Sequence, residues 1–137
     1  MPGPAAYRRG GPLTITDCNV LLGRLQARHF PAVFGPDGDA PLDPAAVRVK
    51  FDALAAAVSL ATGQAQTAEH LAAGFIRMAV ADMVRAITAI STERGHDVRQ
   101  CALLSFGGAG GQHACAVAEA LGITAVLLHP LAGVLSA

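Results

Sequence analysis

Charge is scarce in this 137-residue chain. Asp, Glu, Lys and Arg together make up 15% of it, ten acidic residues balance ten basic ones, and Lys50 is the only lysine. Without a basic stripe, nucleic acid is not expected as a partner. Aromatic residues are also few, at 4%. The cysteines are Cys18, Cys101 and Cys115, an odd number with no CxxC pair. That argues against a disulfide framework or a zinc site and fits reduced thiols in a cytoplasmic protein. No apolar run approaches the roughly 18 residues of a membrane span, so no membrane association is expected. Arg8 and Arg9 are not followed by the apolar stretch of a signal peptide.

What remains is small and apolar. Hydrophobic residues make up 53% of the chain and mean hydropathy is +0.44, with alanine and glycine carrying much of both. The length suits one domain with a modest core. The hydropathy has two readings: a tightly packed small-residue core, or apolar surface that a second domain or subunit covers.

Residues 1–12 hold three prolines and three glycines and form an irregular entry. The pattern predicts a helical part over 13–97. Its first helix begins near Thr14, with Thr16 or Asp17 as cap and Val20, Leu21, Leu22 and Leu25 on its apolar side, and ends before Pro31. Residues 31–44 form a long turn-rich connection. Asp43 then caps a second helix with Pro44 at its first position, running to about Leu60 and stopped by Gly63. Thr67 caps the third and longest helix. Its stripe of Ile76, Val80, Met83, Ile87 and Ile90, widened by Leu71, Phe75, Met78 and Ala79, predicts burial over much of its circumference until Gly95.

The period changes over 100–130. Cys101–Phe106 reads as a buried strand, Gly107–Gly111 as a loop, 111–121 as a helix with Ala114, Val117, Ala118 and Leu121 inward and Gly122 as its stop, and Thr124–Leu128 as a second buried strand. A strand–loop–helix–strand unit implies parallel strands. The fold class is therefore α/β, rich in helix, with a short parallel βαβ unit.

Four of the five residues Gly107, Gly108, Ala109, Gly110 and Gly111 are glycine. Glycines between a strand and a helix N-terminus let a ligand approach the backbone closely. Two phosphate-binding versions fail. Gln112-His113 stands where a Walker A loop needs Lys-Ser/Thr, and His113 stands where the dinucleotide fingerprint needs its third glycine. Two readings stay open: a platform for the flat, uncharged part of a nucleotide, or a tight turn and nothing more. His113 is either a donor to that ligand or an ordinary polar residue near a cap. Asp17 and Asn19 are either candidates for substrate or metal, or, for Asp17, a simple N-cap. His29 and His70 belong on helix surfaces, His96-Asp97 in a solvated turn, and Asp37 and Asp39 flank Gly38 in a turn. Asp82 and Glu119 show no partner at acid–base spacing.

Five segments in one order, GGPLTITDCNVLLGRL (10–25), HFPAVFGPDGDAPLD (29–43), ERGHD (93–97), SFGGAGGQHACAVAEALGI (105–123) and HPLAGVLSA (129–137), resemble the hydantoinase A/5-oxoprolinase family. The Gly-Gly-Gln-His wording is most similar to the 5-oxoprolinases. The resemblance implies part of the second lobe of an actin/sugar kinase/Hsp70-like ATPase. It implies ATP with Mg or Mn, and a cyclic amide whose oxygen is phosphorylated so that water can attack the activated imidate. It also implies as partners the rest of a hydantoinase A chain and a hydantoinase B-like subunit or domain.

Within that resemblance, Gly107–Gly111 with His113 match the adenosine-side loop. The Asp-Gly-rich phosphate hairpins have no counterpart in this sequence, so catalytic residues are expected elsewhere. Two departures stand out. Val80-Ala81-Asp82-Met83 occupies the place of the family's Asn-Glu-x-Met, which leaves Asp82 one position displaced. Thr16-Asp17-Cys18-Asn19 replaces Thr-Asp-Ala-Asn but keeps the polar pair. The two functions to separate are a segment of an ATP-dependent cyclic-amide hydrolase and a non-catalytic nucleotide-binding or assembly module, with self-association of the chain as one way to cover its apolar surface. A Rossmann-type oxidoreductase is the third and weakest option.

Overall fold

The computed structural model describes residues 2–135. Its contacts divide the chain into two compact units, Met1–Arg77 and Met78–Ala137.

The first unit is helical. α1 (Ile15–Leu21) opens with a reciprocal capping box between Thr14 and Asp17. α2 (Pro44–Thr62) starts where the Asp43 carboxylate accepts the Ala46 N–H at 3.0 Å and proline takes the first turn. It ends at Gly63, whose φ of 70° closes the helix in the left-handed region. Val47, Phe51 and Ala55 recur every four residues along α2, so they share one face, and all three are buried. Burying Val47 and Phe51 contributes roughly 1.5–3 kcal/mol each. α3 (Ala68–Glu93) begins in this unit, where the Thr67 hydroxyl accepts the His70 N–H at 3.1 Å.

The turn-rich connection is braced by the entry segment. Phe34 and Ala40 form an antiparallel bridge. The Gly35 N–H donates to the Tyr7 carbonyl at 3.0 Å, the Asp43 N–H to Ala6 at 3.0 Å, and Arg8 Nε to Pro41 at 2.7 Å. The Tyr7 and Phe34 rings lie 4.5 Å apart. So many fixed donors and ring contacts explain how a long loop keeps one shape without helix or strand. At Gly11 a Cβ would run into the Gly3 carbonyl oxygen. Gly11→Ala is therefore expected to cost stability at the upper end of about 1–3 kcal/mol, read as a lowered urea midpoint.

The second unit holds β1 (Ala102–Ser105), α4 (Ala114–Leu121) and β2 (Ala125–Leu128). The strands are parallel, with Ala102 opposite Ala125 and Ser105 opposite Leu128. Val117, Ala118 and Leu121 of α4 join Ile123 in a small core, against which Val80, Val84, Ile87, Val98, Leu103 and Val126 pack. Gly122 stops α4 at φ 70°. The helix-rich α/β class and the parallel βαβ unit are those expected from the sequence.

Three details differ. The cap of α1 is Thr14, with Asp17 three residues inside, and the helix ends at Leu21. Leu25 is still buried, but from the following loop. α3 is buried at Ala68, Ala72 and Ile76 only, while Met78, Met83 and Ile90 are exposed. Both strands are also largely open: Leu104, Leu127 and Leu128 are each more than half exposed. An apolar period reports what a face can bury. It does not report what covers that face, and no described element covers these residues.

Candidate functional site

The two parallel strands end side by side, Ser105 opposite Leu128. In open α/β sheets the carboxyl ends of the strands are where ligands bind, because the loops that leave them diverge. The glycine loop leaves β1 at this edge and the 129–134 segment leaves β2 beside it. Below them lies a groove of about 290 Å³, lined mainly by apolar side chains such as Met83, Leu103 and Phe106, with Ser105, Gly110 and His113 as its polar and backbone contributors. An apolar wall with few polar groups suits a flat, weakly polar ring.

The four glycines are not equivalent. Gly107 sits at φ +87°, a conformation that side chains rarely adopt. At Gly110 a Cβ would stand 2.8 Å from the Ser105 hydroxyl oxygen, so that hydroxyl would have to turn aside to admit one. At Gly111 a Cβ would make ordinary contact with Leu128 at 3.6 Å. At Gly108 a Cβ would meet nothing within 4 Å, and no left-handed φ demands glycine there. Backbone conformation accounts for Gly107, and the Ser105 hydroxyl disfavours a side chain at Gly110. Ala109 and Gly108 are exposed between them.

One loop amide and two amides just past the loop are engaged. The Gly107 N–H donates to the Ala132 carbonyl at 2.7 Å, Gln112 to Ala109 at 3.2 Å and His113 to Gly110 at 3.2 Å. Gly110–Gln112 form a 3-10 turn, and His113 is the first residue before α4. His113 is buried at 6% exposure and lines the groove. Cys115, two residues on, is exposed, so these two side chains do not share one environment.

Asp17 and Asn19 lie in the first unit and both are buried. The Asp17 carboxylate accepts the Ala5 N–H at 3.1 Å, the Ala6 N–H at 2.8 Å, and both the N–H and the hydroxyl of Thr14 at 2.8 Å. It thus ties the entry segment to the start of α1. Between the pair, the Cys18 thiol is pushed up to about 11, first by burial and second by the charge of Asp17. A raised thiol pKa means that the unfolded chain loses its proton first. The Cys18 contribution is therefore fully present below pH 9 and is lost as pH rises toward 11. Native protein treated with iodoacetamide at pH 8 is expected to alkylate rapidly at the exposed Cys101 and Cys115 and slowly at Cys18, with Cys18 released by denaturant. Peptide mapping by mass spectrometry reads the difference.

The remaining candidates are surface groups. Asp82 pairs with Arg85 on an exposed face of α3. Arg99 holds the Asp97 carboxyl below the usual carboxylate range. Glu119, His29 and His70 are exposed. Among the described residues no group of three His, Cys, Asp or Glu side chains is placed to hold a metal ion. No helix among them is long and apolar enough to cross a membrane. The groove's Met83, Ile87 and Phe106 were legible in the sequence only as core candidates, because no local spacing links α3 to β1.

These features define an α/β unit with a glycine loop and an apolar groove at the carboxyl edge of a parallel strand pair. The hydantoinase/oxoprolinase family model matches residues 1–137, and the chain belongs to that family. It is 51% identical over 136 residues to a 5-oxoprolinase of Saccharomyces cerevisiae, covering 99% of this chain and 11% of that protein. It is 34% identical to the caprolactamase subunit alpha of Pseudomonas jessenii, covering 99% of this chain and 18% of that one. Among solved structures, the ATP-dependent caprolactamase of Pseudomonas jessenii superposes with a TM-score of 0.75 at 35% identity, covering 96% of this chain and 18% of that chain. A nucleotide-free acetone carboxylase, described with the mechanism of ATP-dependent acetone carboxylation, superposes with a TM-score of 0.72 at 26% identity, covering 94% of this chain and 17% of that chain. The chain thus spans roughly a tenth to a fifth of the length of these relatives.

Proposed function

We propose that this chain forms part of an ATP-dependent cyclic-amide hydrolase and supplies its adenosine-side nucleotide loop, Gly107–Gly111 with His113. The observation that carries the proposal is the exposed, sterically unforced Gly108 at the carboxyl edge of the strands, in the loop that borders the groove. The names of the relatives supply the chemistry: 5-oxoproline and caprolactam share a lactam, and the caprolactamase is ATP-dependent. A lactam is a poor electrophile, and ATP supplies the phosphoryl group that activates its oxygen. The groove and loop would hold the base and sugar, with His113 as a donor at the buried end.

Mg or Mn would accompany the phosphates. The described residues do not fit a metal ion by themselves, so its ligands would be the phosphates and residues of partner segments. Those partners are the remainder of a hydantoinase A chain and a hydantoinase B-like subunit or domain. Asp17 and Asn19 would reach substrate or metal only if Asp17 gave up hydrogen bonds to Ala5, Ala6 or Thr14. A cytoplasmic location accords with the reduced thiols.

The half-exposed Leu104, Phe106, Leu127 and Leu128 favour a second role, an assembly surface without catalysis. Both roles agree on one result. The isolated 137-residue chain is expected not to hydrolyse ATP, because the phosphate-binding elements lie elsewhere, and an assay for release of inorganic phosphate tests this. Specific hydrolysis by the pure chain would overturn the assignment of this segment to the adenosine side.

A further inference from the structure

The glycine loop does not set its own shape. Its first amide, Gly107 N–H, donates to the Ala132 carbonyl at 2.7 Å across the strand ends. Ala132 is held in turn by the residue that follows β2. The His129 Nδ1 accepts the Leu131 N–H at 3.0 Å, and the His129 carbonyl accepts the Ala132 N–H at 2.9 Å. The Val134 N–H then donates to Leu131 at 3.0 Å, within the 3-10 turn Ala132–Val134. His129 is exposed, so its ring is available for this local bond without being part of the core.

We infer that His129 is a positioning residue for the glycine loop: its Nδ1 fixes the 129–132 turn, and that turn presents the Ala132 carbonyl that holds Gly107. A side-chain acceptor bonding the N–H two residues on is the geometry of an Asx-turn, so asparagine has the right reach and alanine has none. The ring bonds through an unprotonated Nδ1, which places the proton of the neutral form on Nε2. Without that anchor, the left-handed Gly107 loses the bond that offsets its conformational freedom, and the loop samples many shapes. The consequence for ATP rests on the nucleotide reading given above, whereas the positioning itself does not.

The test is amide hydrogen exchange of the complete 137-residue chain, followed by NMR at Gly107 and Ala132, for the native protein, His129→Ala and His129→Asn. His129→Ala is expected to speed exchange at Gly107 at least tenfold, and His129→Asn to return it to within about twofold of native. Equal protection in native and His129→Ala overturns the inference. So does an asparagine variant that exchanges as fast as the alanine one, since a merely structural perturbation at 129 would not be rescued by the matching acceptor. ATP affinity of the assembled enzyme is then compared for the same variants. A weakened affinity in His129→Ala, restored in His129→Asn, supports the nucleotide reading as well. An altered exchange rate with unchanged affinity leaves the positioning intact and counts against the nucleotide reading alone.

Discussion

Asp17→Ala is expected to lower the unfolding free energy by about 3–9 kcal/mol, because three backbone N–H groups lose their acceptor at roughly 1–3 kcal/mol each. Two of those donors, Ala5 and Ala6, are in buried hydrogen bonds with the carboxylate, and the third belongs to the helix cap residue Thr14. Alanine fills none of these bonds, and Asp17 is fully buried, so water does not replace them freely. Against a typical total of about 5–15 kcal/mol, this is a large fraction. Urea denaturation reads the loss, and limited proteolysis should cut first near residues 5–9. Asp17→Asn is expected to fall between native and alanine, since its amide keeps one acceptor oxygen and turns a donor toward the remaining N–H groups. If Asp17→Ala instead keeps its stability within about 1 kcal/mol and removes only the activity of the assembled enzyme, the carboxylate is a ligand and not a brace.

Gly108→Val is expected to weaken adenine-nucleotide binding at least tenfold in the assembled enzyme, equivalent to about 1.4 kcal/mol, while shifting stability by no more than about 0.5 kcal/mol. The reason is geometric. The valine side chain enters space that the chain itself leaves empty, and its backbone is not in the left-handed region. The choice of glycine matters, because Gly110→Val would drive its Cβ into the Ser105 hydroxyl and confuse packing with binding. Isothermal titration with a non-hydrolysable ATP analogue, paired with thermal unfolding, separates the two effects. Unchanged affinity in Gly108→Val would return the loop to the status of a turn.

The sequence carried the local structure well where a single residue sets it. Asp43 before Pro44, Thr67 before α3 and the left-handed Gly63 and Gly122 are all decided by cap chemistry within four residues. It carried the parallel strand pair because an apolar run, a short helix and a second run leave few other topologies. Asp17 was harder to read. Its sequence pattern shows a cap, whereas the cap residue is Thr14 three positions earlier, and the donors at Ala5 and Ala6 sit twelve and eleven positions away, where no period reaches. Burial was the least legible property. Met78, Met83, Ile90, Leu104 and Leu127 belong to apolar patterns and are nevertheless exposed, since a pattern cannot name the surface that meets it. The groove falls in the same class: Met83 and Ile87 meet Leu103 and His113 only through tertiary folding.

The central claim is that Gly107–Gly111 lies against the adenosine end of ATP. A crystal structure of the assembled enzyme with a non-hydrolysable ATP analogue tests it most directly. The account predicts the adenine or ribose in contact with Gly108, His113 at the edge of the groove, and the phosphates directed away from residues 107–111. Phosphate density on those amides, or an adenine bound elsewhere with the loop unchanged, would contradict it.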